Sequence, residues 1–443
     1  MRKLIIAISL IILVFTACKK YEGDITEIHP VKYQVLTSYA SQDLGKLLPK
    51  SKIEVTIKNT KNNVIQKYTT KSDGTISLDS ISPGVYDISA MIKIPAADYT
   101  VLTGENVEKE VVFNASEKSR IITIADNQNI SLKLISGSTG PWVIKQIYYA
   151  GSNTTTGASF RDQFIEIYNN SDSILYADSL YIAEALGIQN LTSTNIYRQN
   201  NSQYDWSKAQ GMPTNIDANN SYIYTRALLM IPGTGRQYPV KPGESIVLAQ
   251  TALNHRAPFT GSDGKTITAR NPSLTIDLSS ADFEAYYAPF LPRPLASDID
   301  NPSVPNVEVL SYSGTDLIFD NLGRMGYVIF KNKGTTDIKK LPQYPYPTIA
   351  PSLSDADKYF QIPIEFIIDG VEIQPSSAAS RVPKKLGASL DALYTYAPNG
   401  AYSSQSVIRK IETTIQGRRI LKDTNNSAED FDFFPLANPR GFK

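Results

Sequence analysis

Apolar and polar residues alternate from residue 53 onward, which places Ile53, Val55 and Ile57 on one face of an extended segment. Because side chains two positions apart share a face of a strand, this pattern predicts a half-buried β-strand. Turn dipeptides and further short apolar runs follow it. We therefore predict a small all-β sandwich over residues 31–136.

The same region carries two turn motifs. A Thr-x-x-Asp-Gly pattern spans residues 70–74, and Pro-Gly-x-Tyr spans residues 83–86. With a short strand between them, these motifs resemble the carboxypeptidase-regulatory-like, prealbumin-type β-sandwich. The resemblance implies a fold, and because such modules usually act as stalks or scaffolds, it implies no catalytic group.

A linker rich in Ser, Gly and Pro at residues 136–141 precedes a second series of strand patterns. Apolar stretches at 142–149 and 164–169 are followed by a Pro-Gly turn that leads into the strand pattern at 244–249. The abundance of Tyr, Thr, Val and Ile favours strands. We predict a second β-sandwich over residues 141–443, so the whole chain is predicted to be all-β.

The second module resembles the lamin-tail-type domain, an immunoglobulin-like sandwich. The resemblance rests on Ile-x-x-Ile-Tyr-Tyr at 144–149, Phe-Ile-Glu-Ile-Tyr-Asn at 164–169 and the Pro-Gly turn with its strand at 242–249. Long insertions near 184–236 and 250–320 separate these pieces. Because loops of this length in a compact domain are usually functional or disordered, binding residues are expected in the insertions.

Together the two modules resemble an uncharacterised, domain-of-unknown-function family of Bacteroidota surface lipoproteins. In that family a prealbumin-like module precedes a lamin-tail-like one. The resemblance covers most of residues 31–443. It implies a fold and a cell-surface location, and it implies no chemistry.

Capping and turn residues predict two local elements of the second module. Residues 279–287 are predicted to begin a short helix with Ser280 as its N-cap. Residues 361–373 are predicted to form a strand pair that turns at Asp369 and Gly370.

The N-terminus is built like a secretion signal. Two basic residues precede an apolar run at 4–15 that is too short to cross a bilayer, and small residues lead to Cys18, the one cysteine in the chain. Residues 15–18 resemble a bacterial lipobox. The resemblance implies that the signal peptide 1–17 is removed and that the Cys18 thiol is acylated. A lipid bilayer is then the first predicted partner, and residues 18–30 are the tether.

The tether leaves two interpretations open. Lys20, Glu22 and Asp24 resemble a loose form of the signal that sends Bacteroidota lipoproteins to the outer face of the outer membrane, so surface exposure is expected. The alternative is a solvated linker without an address. For Cys18 itself, the alternative to lipidation is a secreted protein with a free cysteine.

Composition narrows the classes of function. The 44 basic and 43 acidic side chains are interspersed and give a net charge of +1, so the basic stripe that nucleic-acid binding needs is absent. Two histidines and one cysteine are too few for a zinc or iron site built from those residues. No nucleophile elbow, phosphate loop or dinucleotide fingerprint occurs. We therefore predict a protein that is not an enzyme, with no catalytic residues, no metal and no cofactor.

Candidate ligand-binding residues lie in the insertions. Tyr204, Trp206, Tyr222 and Tyr224 belong to the first insertion, where aromatic rings can stack on a sugar or anchor a partner protein. The alternative is a small core beneath the loop. His255, in the second insertion, is a candidate ligand or base, or else it bonds to a loop backbone.

Two acidic features also have structural alternatives. Glu166 is a candidate catalytic or calcium-binding carboxylate, or else a solvent-facing or inter-strand-bonded residue. Residues 423–430 are oxygen-rich like a calcium loop, but they lack the Gly and final Glu spacing of an EF-hand. Turn and cap roles suit Asp and Asn equally well.

The resemblance to surface lipoproteins implies a role, because such proteins commonly serve an outer-membrane transporter driven by TonB. We expect an outer-membrane, surface-exposed, non-catalytic binding protein, with a TonB-dependent barrel as partner and a glycan, haem or chelated iron as ligand. The first alternative is an adhesin or structural interaction protein. The second is a surface hydrolase that uses paired carboxylates.

Overall fold

The computed structural model describes residues 29–107, 110–125, 128–136, 140–332, 334, 336–349 and 357–443. The predicted signal peptide, Cys18 and most of the tether lie outside these residues. Lipidation at Cys18 therefore stays a prediction.

Strands dominate the described residues. They are β1 (Val31–Tyr39), β2 (Glu54–Asn59), β3 (Ile65–Thr69), β4 (Thr75–Ile81), β5 (Gly84–Ile94), β6 (Val111–Ile122), β7 (Gln128–Ser136), β8 (Trp142–Tyr148), β9 (Phe164–Asn169), β10 (Leu175–Tyr176), β11 (Leu180–Ala185), β12 (Tyr222–Met230), β13 (Pro239–Val240), β14 (Ser245–Ala249), β15 (Phe259–Thr260), β16 (Thr266–Ile267), β17 (Phe283–Glu284), β18 (Glu308–Ser311), β19 (Gly326–Lys331), β20 (Gln343–Tyr344), β21 (Tyr359–Pro363), β22 (Ile367–Glu372), β23 (Ser406–Arg409), β24 (Ile411–Ile415), β25 (Arg418–Leu421) and β26 (Phe431–Phe434). The α-helices are α1 (Leu44–Leu47), α2 (Ala96–Thr103) and α3 (Ser427–Asp430), and short 3-10 helices lie at Trp206–Lys208, Pro272–Leu274, Ala288–Phe290, Ile338–Lys340, Ile364–Phe366 and Ala378–Ser380.

The strands between residues 31 and 136 form one sheet, whose order over the described residues is β3-β2-β5-β6-β7-β1-β4. β1 pairs in parallel with β7 and antiparallel with β4. The alternation that the sequence predicts is present in β2, where Val55 and Ile57 are buried and Glu54 is exposed. Val55 and Ile57 belong to one core with Ile88 and Phe113.

Two further sheets enclose the main core. Within the described part of the chain, one sheet runs β17-β14-β9-β8-β23-β26, and the other runs β20-β21-β12-β11-β19-β22 with β18 added to β12. Ile147, Ile167 and Leu248 of the first sheet share this core with Ile182 and Ile329 of the second, and none of them is more than 3% exposed. The prediction of an all-β sandwich fold is confirmed.

Both of these sheets also carry apolar residues on their outer faces. Val328 packs against Ile338 on the outer side of the β12 sheet, and Val247 packs against Ile276 on the outer side of the other. A strand that is covered on both faces shows a continuous apolar run instead of an alternation. For this reason β12, a central strand, is hidden inside the stretch 184–236 that the sequence assigns to an insertion.

The two local predictions are wrong. Residues 279–287 contain the two-residue strand β17 and no helix, because β17 pairs with β14 and the Asp282 carboxylate accepts a hydrogen bond from a β14 backbone N–H at 2.7 Å. Asp369 and Gly370 lie inside β22 and not at a turn. The Asp369 carboxylate is instead paired with the buried side chain of Arg409.

Arg409 of β23 is 2% exposed and connects the two sheets. Its Nη2 lies 2.5 Å from Oδ2 of Asp369 in β22, and its Nη1 lies 3.1 Å from Oδ1 of Asp423 and 3.6 Å from Oδ2 of Asp430. Its Nε donates to the carbonyl of Ile144 at 2.8 Å, while the N–H of Ile144 donates to Asp369 at 2.6 Å. The pairing of β8 with β9 is irregular after Ile144, and these bonds satisfy the backbone there.

The charges of this network depend on one another. Burial disfavours the charged guanidinium, but the carboxylates outweigh it and raise the pKa of Arg409. Burial raises the pKa of Asp423 to about 7. The guanidinium thus keeps its charge in the interior because acidic partners surround it.

Buried polar contacts join the first sandwich to the rest of the chain. Nδ2 of Asn114 donates to the carbonyl of Thr424 at 2.6 Å, in the loop that supplies acidic partners to the network. Asp87, which is 1% exposed, accepts a hydrogen bond from the hydroxyl of Tyr394. Burial in the same contact region lowers the pKa of Lys118 to about 8. The contact between the modules is therefore specific in its hydrogen bonding.

Replacement of Arg409 with methionine (Arg409→Met) is expected to lower the free energy of unfolding by about 3–5 kcal/mol, because buried carboxylates lose their partner. Urea denaturation followed by tryptophan fluorescence measures the change. The exposed Arg270 offers a matched control, and Arg270→Met should alter the free energy of unfolding by less than about 0.5 kcal/mol. If Arg409→Met is as stable as the parent protein, the network is not required for the fold.

Candidate functional site

An open cleft of about 960 Å³ lies in the first insertion. One wall is formed by residues 186–197 and the other by the proline-rich segment 345–348. Arg226 of β12 and Tyr359 of β21 line it as well, so the cleft adjoins the β12 sheet. Its volume falls within the range of small-molecule sites.

Backbone pairing ties the two walls together. Ile196 and Thr348 form an isolated antiparallel bridge, and the N–H of Tyr197 donates to a carbonyl of the opposite wall at 3.1 Å. Arg198 donates to backbone carbonyls at 191 and 193, at 3.2 and 2.8 Å. These bonds fix the polar loop, and a preformed site loses less conformational entropy when a ligand binds.

A column of aromatic rings runs from the interior to the cleft. Tyr224 is 2% exposed and stacks on Trp206, which is 4% exposed, with 3.5 Å between the ring centroids. Trp206 meets Tyr204 edge to face at 5.8 Å, and the Tyr204 ring lies 6.1 Å from that of Tyr346 on the opposite wall. Tyr222 packs beside the column. The buried rings therefore position the two tyrosines that reach the cleft.

Only one of the four aromatic candidates from the sequence lines the cleft. That residue is Tyr204, whereas Trp206, Tyr222 and Tyr224 do not line it. Trp206 and Tyr224 are buried and stack on each other, so they form the small core that the sequence allowed as the alternative. They support the wall of the cleft and offer no open platform to a ligand.

Polar side chains hold the aromatic column in place. Asp205 caps the short 3-10 helix that contains the tryptophan and accepts a hydrogen bond from Nδ2 of Asn219 at 2.9 Å. Oε1 of the buried Gln203 accepts the N–H groups of Ile188 and Tyr204, at 2.8 and 2.9 Å. The side-chain amide of Gln203 thus links the cleft wall at Ile188 to the aromatic column at Tyr204.

A second lobe of about 440 Å³ shares Gln189, Arg226 and Ser313 with the first. The Nε of Arg226 donates to Oγ of Ser313 at 3.2 Å, and the arginine is half-buried. Arg226 therefore stands where the two lobes meet. A ligand that extends through both lobes would pass this side chain.

The acidic residues of the second lobe already have partners. Asp320 binds Arg324 through both carboxylate oxygens, each at 2.9 Å. Asp316 accepts a hydrogen bond from Nε2 of Gln250 at 2.6 Å, and burial raises the pKa of Asp316 to about 8. Both side chains are therefore engaged by other residues of the protein.

The first lobe combines aromatic faces with amide and hydroxyl groups. Tyr197 and Tyr346 are 39% and 38% exposed. Amide side chains are supplied by Gln189, Asn190, Asn195 and Gln210. The described residues that line this lobe include no Asp or Glu, and the cations among them are Lys208 and Arg226. Such a lobe can stack on a flat apolar face and hydrogen-bond to polar groups around it.

Sequence reasoning missed Tyr197, Tyr346 and Arg226. The segment around Tyr346 reads Tyr-Pro-Tyr-Pro, and such a segment cannot form a central strand. The same pattern could have identified Tyr346, because flanking prolines hold an aromatic residue in an extended, exposed stretch. Arg226 gave no signal, since it lies within the apolar strand β12.

His255 lies outside both lobes and is 2% exposed. Its Nε2 lies 3.0 Å from the carbonyl oxygen of Thr251. Burial lowers the pKa of His255 to about 4, so its ring is neutral at physiological pH. The structure places this residue in a backbone-bonding role.

The two acidic features are part of the framework. Oε1 of the fully buried Glu166 accepts a hydrogen bond from Nζ of Lys145 at 2.8 Å. In the segment 423–430, carboxylates pair with Arg409 and Asn426 caps α3. Over the described ranges, no group of His, Cys, Asp and Glu is arranged to hold a metal ion.

Glu184 of β11 is a buried carboxylate near Arg226. It is 6% exposed, and no described residue hydrogen-bonds to its Oε1. Together with Tyr327 it borders an internal cavity of about 10 Å³ that is otherwise apolar. Burial raises the pKa of Glu184 to about 7, against the opposing effect of Arg226. At neutral pH this carboxyl is only partly ionised.

Residues 241–435 match the family described as "Protein of unknown function (DUF4876)". The predicted resemblance to a family of unknown function is confirmed for those residues, and the prealbumin-like and lamin-tail-like composition stays a prediction. A comparison with curated proteins found no match. In the described part of the chain, no helix has the length and apolar character needed to span a membrane.

The solved structures that are similar to this chain include three from Bacteroides. A DUF4876 family protein from Bacteroides thetaiotaomicron VPI-5482 is 24% identical, with 91% of this chain and 95% of that chain covered and a TM-score of 0.49. An adhesin candidate from Bacteroides ovatus ATCC 8483 is 6% identical, with 76% and 84% covered and a TM-score of 0.19. A DUF3823 family protein from the same strain is 13% identical, with 49% and 98% covered and a TM-score of 0.16.

Replacement of Glu184 with glutamine (Glu184→Gln) is expected to stabilise the protein by about 3 kcal/mol near pH 8 and to have little effect near pH 4. The folded-state pKa of about 7 lies above the ordinary value of 4.5, so the stability contributed by the protonated carboxyl is present below pH 4.5 and is lost as the pH rises to about 7. Urea denaturation across this pH range measures the difference between the two proteins.

The exposed Glu365 provides the control for this experiment. Glu365→Gln should change the free energy of unfolding by less than about 0.5 kcal/mol, because it replaces an exposed surface residue. If Glu184→Gln also follows the parent protein, the pKa of Glu184 is not raised by folding.

Proposed function

We propose that this protein is a lipid-anchored, non-catalytic binding protein that captures oligosaccharides in the cleft of its first insertion. The observation that carries the proposal is the lining of the first lobe, where the exposed rings of Tyr197 and Tyr346 stand among amide and hydroxyl side chains. Sugars present a flat face of C–H groups with hydroxyls around the rim. Aromatic stacking and amide hydrogen bonds match those two features.

The shape of the site also supports capture rather than turnover. Glycoside hydrolysis needs two carboxyl groups on either side of the scissile bond. The described residues that line the first lobe supply none. In the second lobe Asp320 is held by Arg324, and Asp316 is 1% exposed and bonded to Gln250. These observations favour binding over the hydrolase alternative.

The anchor belongs to the same proposal. Acylation of Cys18 would hold the chain at a membrane, and each buried lipid methylene contributes about 0.8 kcal/mol to the attachment. With the tether exposed at the outer face of the outer membrane, the cleft would meet glycans outside the cell. Transfer of the captured ligand to a TonB-dependent barrel completes the proposed role.

The binding proposal is tested by applying the purified chain from residue 19 onward to an oligosaccharide array. We expect binding to a defined set of oligosaccharides, with affinity reduced about tenfold by Tyr346→Ala, because the variant loses one stacking ring and a tenfold change corresponds to about 1.4 kcal/mol. Phe290→Ala is the matched control, since Phe290 is 48% exposed and lines neither lobe.

The control should bind as the parent protein does, and isothermal titration calorimetry with the best array ligand gives the affinities. If no oligosaccharide binds, the capture of sugars is refuted. Binding to extracellular matrix proteins in its place would support the adhesin alternative. Equal loss in Tyr346→Ala and Phe290→Ala would mean that the cleft is not the binding site.

Replacement of Cys18 with serine (Cys18→Ser) is expected to abolish incorporation of radiolabelled palmitate and to move the protein from the detergent phase to the aqueous phase in Triton X-114 partitioning. The reason is that serine lacks the thiol on which the anchor is built. The exposed Ser38→Ala variant serves as a control for expression, and it should partition as the parent does. Detergent-phase partitioning of Cys18→Ser would contradict the anchor.

A further inference from the structure

We propose that the cleft selects oligosaccharides that carry carboxylate groups, and that Arg226 is the residue that selects them. This inference rests on the proposed capture of oligosaccharides and adds the chemical class of the ligand. Its basis is a half-buried guanidinium at the junction of two lobes, which no carboxylate of the described residues approaches to ion-pair distance.

The local charge of the cleft supports this assignment. The chain as a whole is nearly balanced, with 44 basic and 43 acidic side chains. The first lobe departs from this balance, because its described lining contains Lys208 and Arg226 and no acidic residue. A concave surface with one sign of charge concentrates ligands of the opposite sign.

Arg226 differs from the neighbouring Arg324 in how its donors are used. Arg324 donates hydrogen bonds from Nε and Nη2 to the two carboxylate oxygens of Asp320. Among the described residues, Arg226 donates one hydrogen bond, from its Nε to Oγ of Ser313 at 3.2 Å. Its terminal amino groups make no hydrogen bond to a described residue, so they are available to a ligand that enters the junction.

Glu184, a buried acid on the strand next to Arg226, does not neutralise it by contact. Glu184 lies on the adjacent strand, where its paired residue is Ala227, and its Oε1 has no hydrogen-bond partner among the described residues. No ion pair joins it to Arg226 within 4.0 Å in the described chain. The guanidinium therefore retains its capacity for a ligand carboxylate.

Guanidinium chemistry and the geometry of the junction identify the ligand group. The planar guanidinium binds a carboxylate through two parallel hydrogen bonds, and such charge-assisted pairs are stronger than neutral ones. Tyr197 and Tyr346 stand on the walls of the lobe that Arg226 also lines. A uronic-acid unit presents a sugar face to a ring and a carboxylate to the guanidinium, which fits both features at once.

The test uses oligomers of galacturonic acid as probes and their carboxyl-reduced counterparts, which are neutral galactose oligomers of equal length. Isothermal titration calorimetry with the parent protein should give an affinity about tenfold or more higher for the acidic oligomers, and the difference should shrink as salt is raised. Arg226→Gln should remove this preference by lowering the affinity for the acidic oligomers to about that for the neutral ones. Arg270→Gln, at an exposed site outside both lobes, should leave it intact.

Each other outcome points to a different failure. Equal binding of acidic and neutral oligomers overturns the inference but leaves the capture of oligosaccharides standing, whereas the absence of all oligosaccharide binding refutes the proposed function itself. An acid preference that persists in Arg226→Gln overturns the role of Arg226. If a hexaglutamate peptide binds as tightly as the acidic oligomers, the site recognises negative charge alone, and the inference of a specific acidic sugar is overturned.

Folding of the variants is checked by their thermal unfolding curves. Arg226→Lys gives a second variant that keeps the charge and loses the planar fork. It should retain part of the acid preference. The comparison of the two probes on the parent protein does not depend on any variant, so the inference can be refuted even if Arg226→Gln fails to fold.

Discussion

The buried charge of Arg409 is the constraint around which the described chain is assembled. One guanidinium bonds to the backbone of β8, to Asp369 of β22 and to the loop before α3, and that loop in turn accepts a hydrogen bond from Asn114 of the first sandwich. An ion in a low-dielectric interior is tolerated only when its partners are complete. The two sheets and the first sandwich can therefore adopt only those relative positions in which this set of bonds closes. The insertion loops are mounted on a framework that is fixed in this way.

The predictability of the fold follows from which faces of a strand are covered. β2 has one covered face, so Val55 and Ile57 alternate with polar residues and the strand can be predicted from the sequence. β12 is covered on both faces, so its residues show no alternation and the strand is hidden within a presumed loop. The Asp-Gly pair in β22 imitates a turn signal because nothing local reveals that Asp369 has a distant partner in Arg409. Contacts between residues far apart in sequence decided each of these errors.

The candidate site shows the same division between local and distant information. The sequence places candidate aromatic residues in the first insertion, and of these Tyr204 lines the cleft. It cannot say which ring is exposed, because that depends on the stacking of Trp206 with Tyr224, a residue of β12. Tyr346 joins the site only through the pairing of two loops about 150 residues apart. The composition of a loop is local information, whereas the orientation of its rings is set by packing against the scaffold.

Near-neutral composition and a charged cleft are compatible because the interior takes up so many of the acidic side chains. Asp369, Asp423, Asp430 and Glu166 are buried in bonds to Arg409 or Lys145, and these bonds serve the framework. A carboxylate that is buried in such a bond is not available to pair with a cation at the surface. Arg226 stands at a junction where no such partner is supplied, so the charge separation is a consequence of how the core is held together. A balanced sequence can thus fold into a protein with a cleft whose described lining carries cations and no acidic residue.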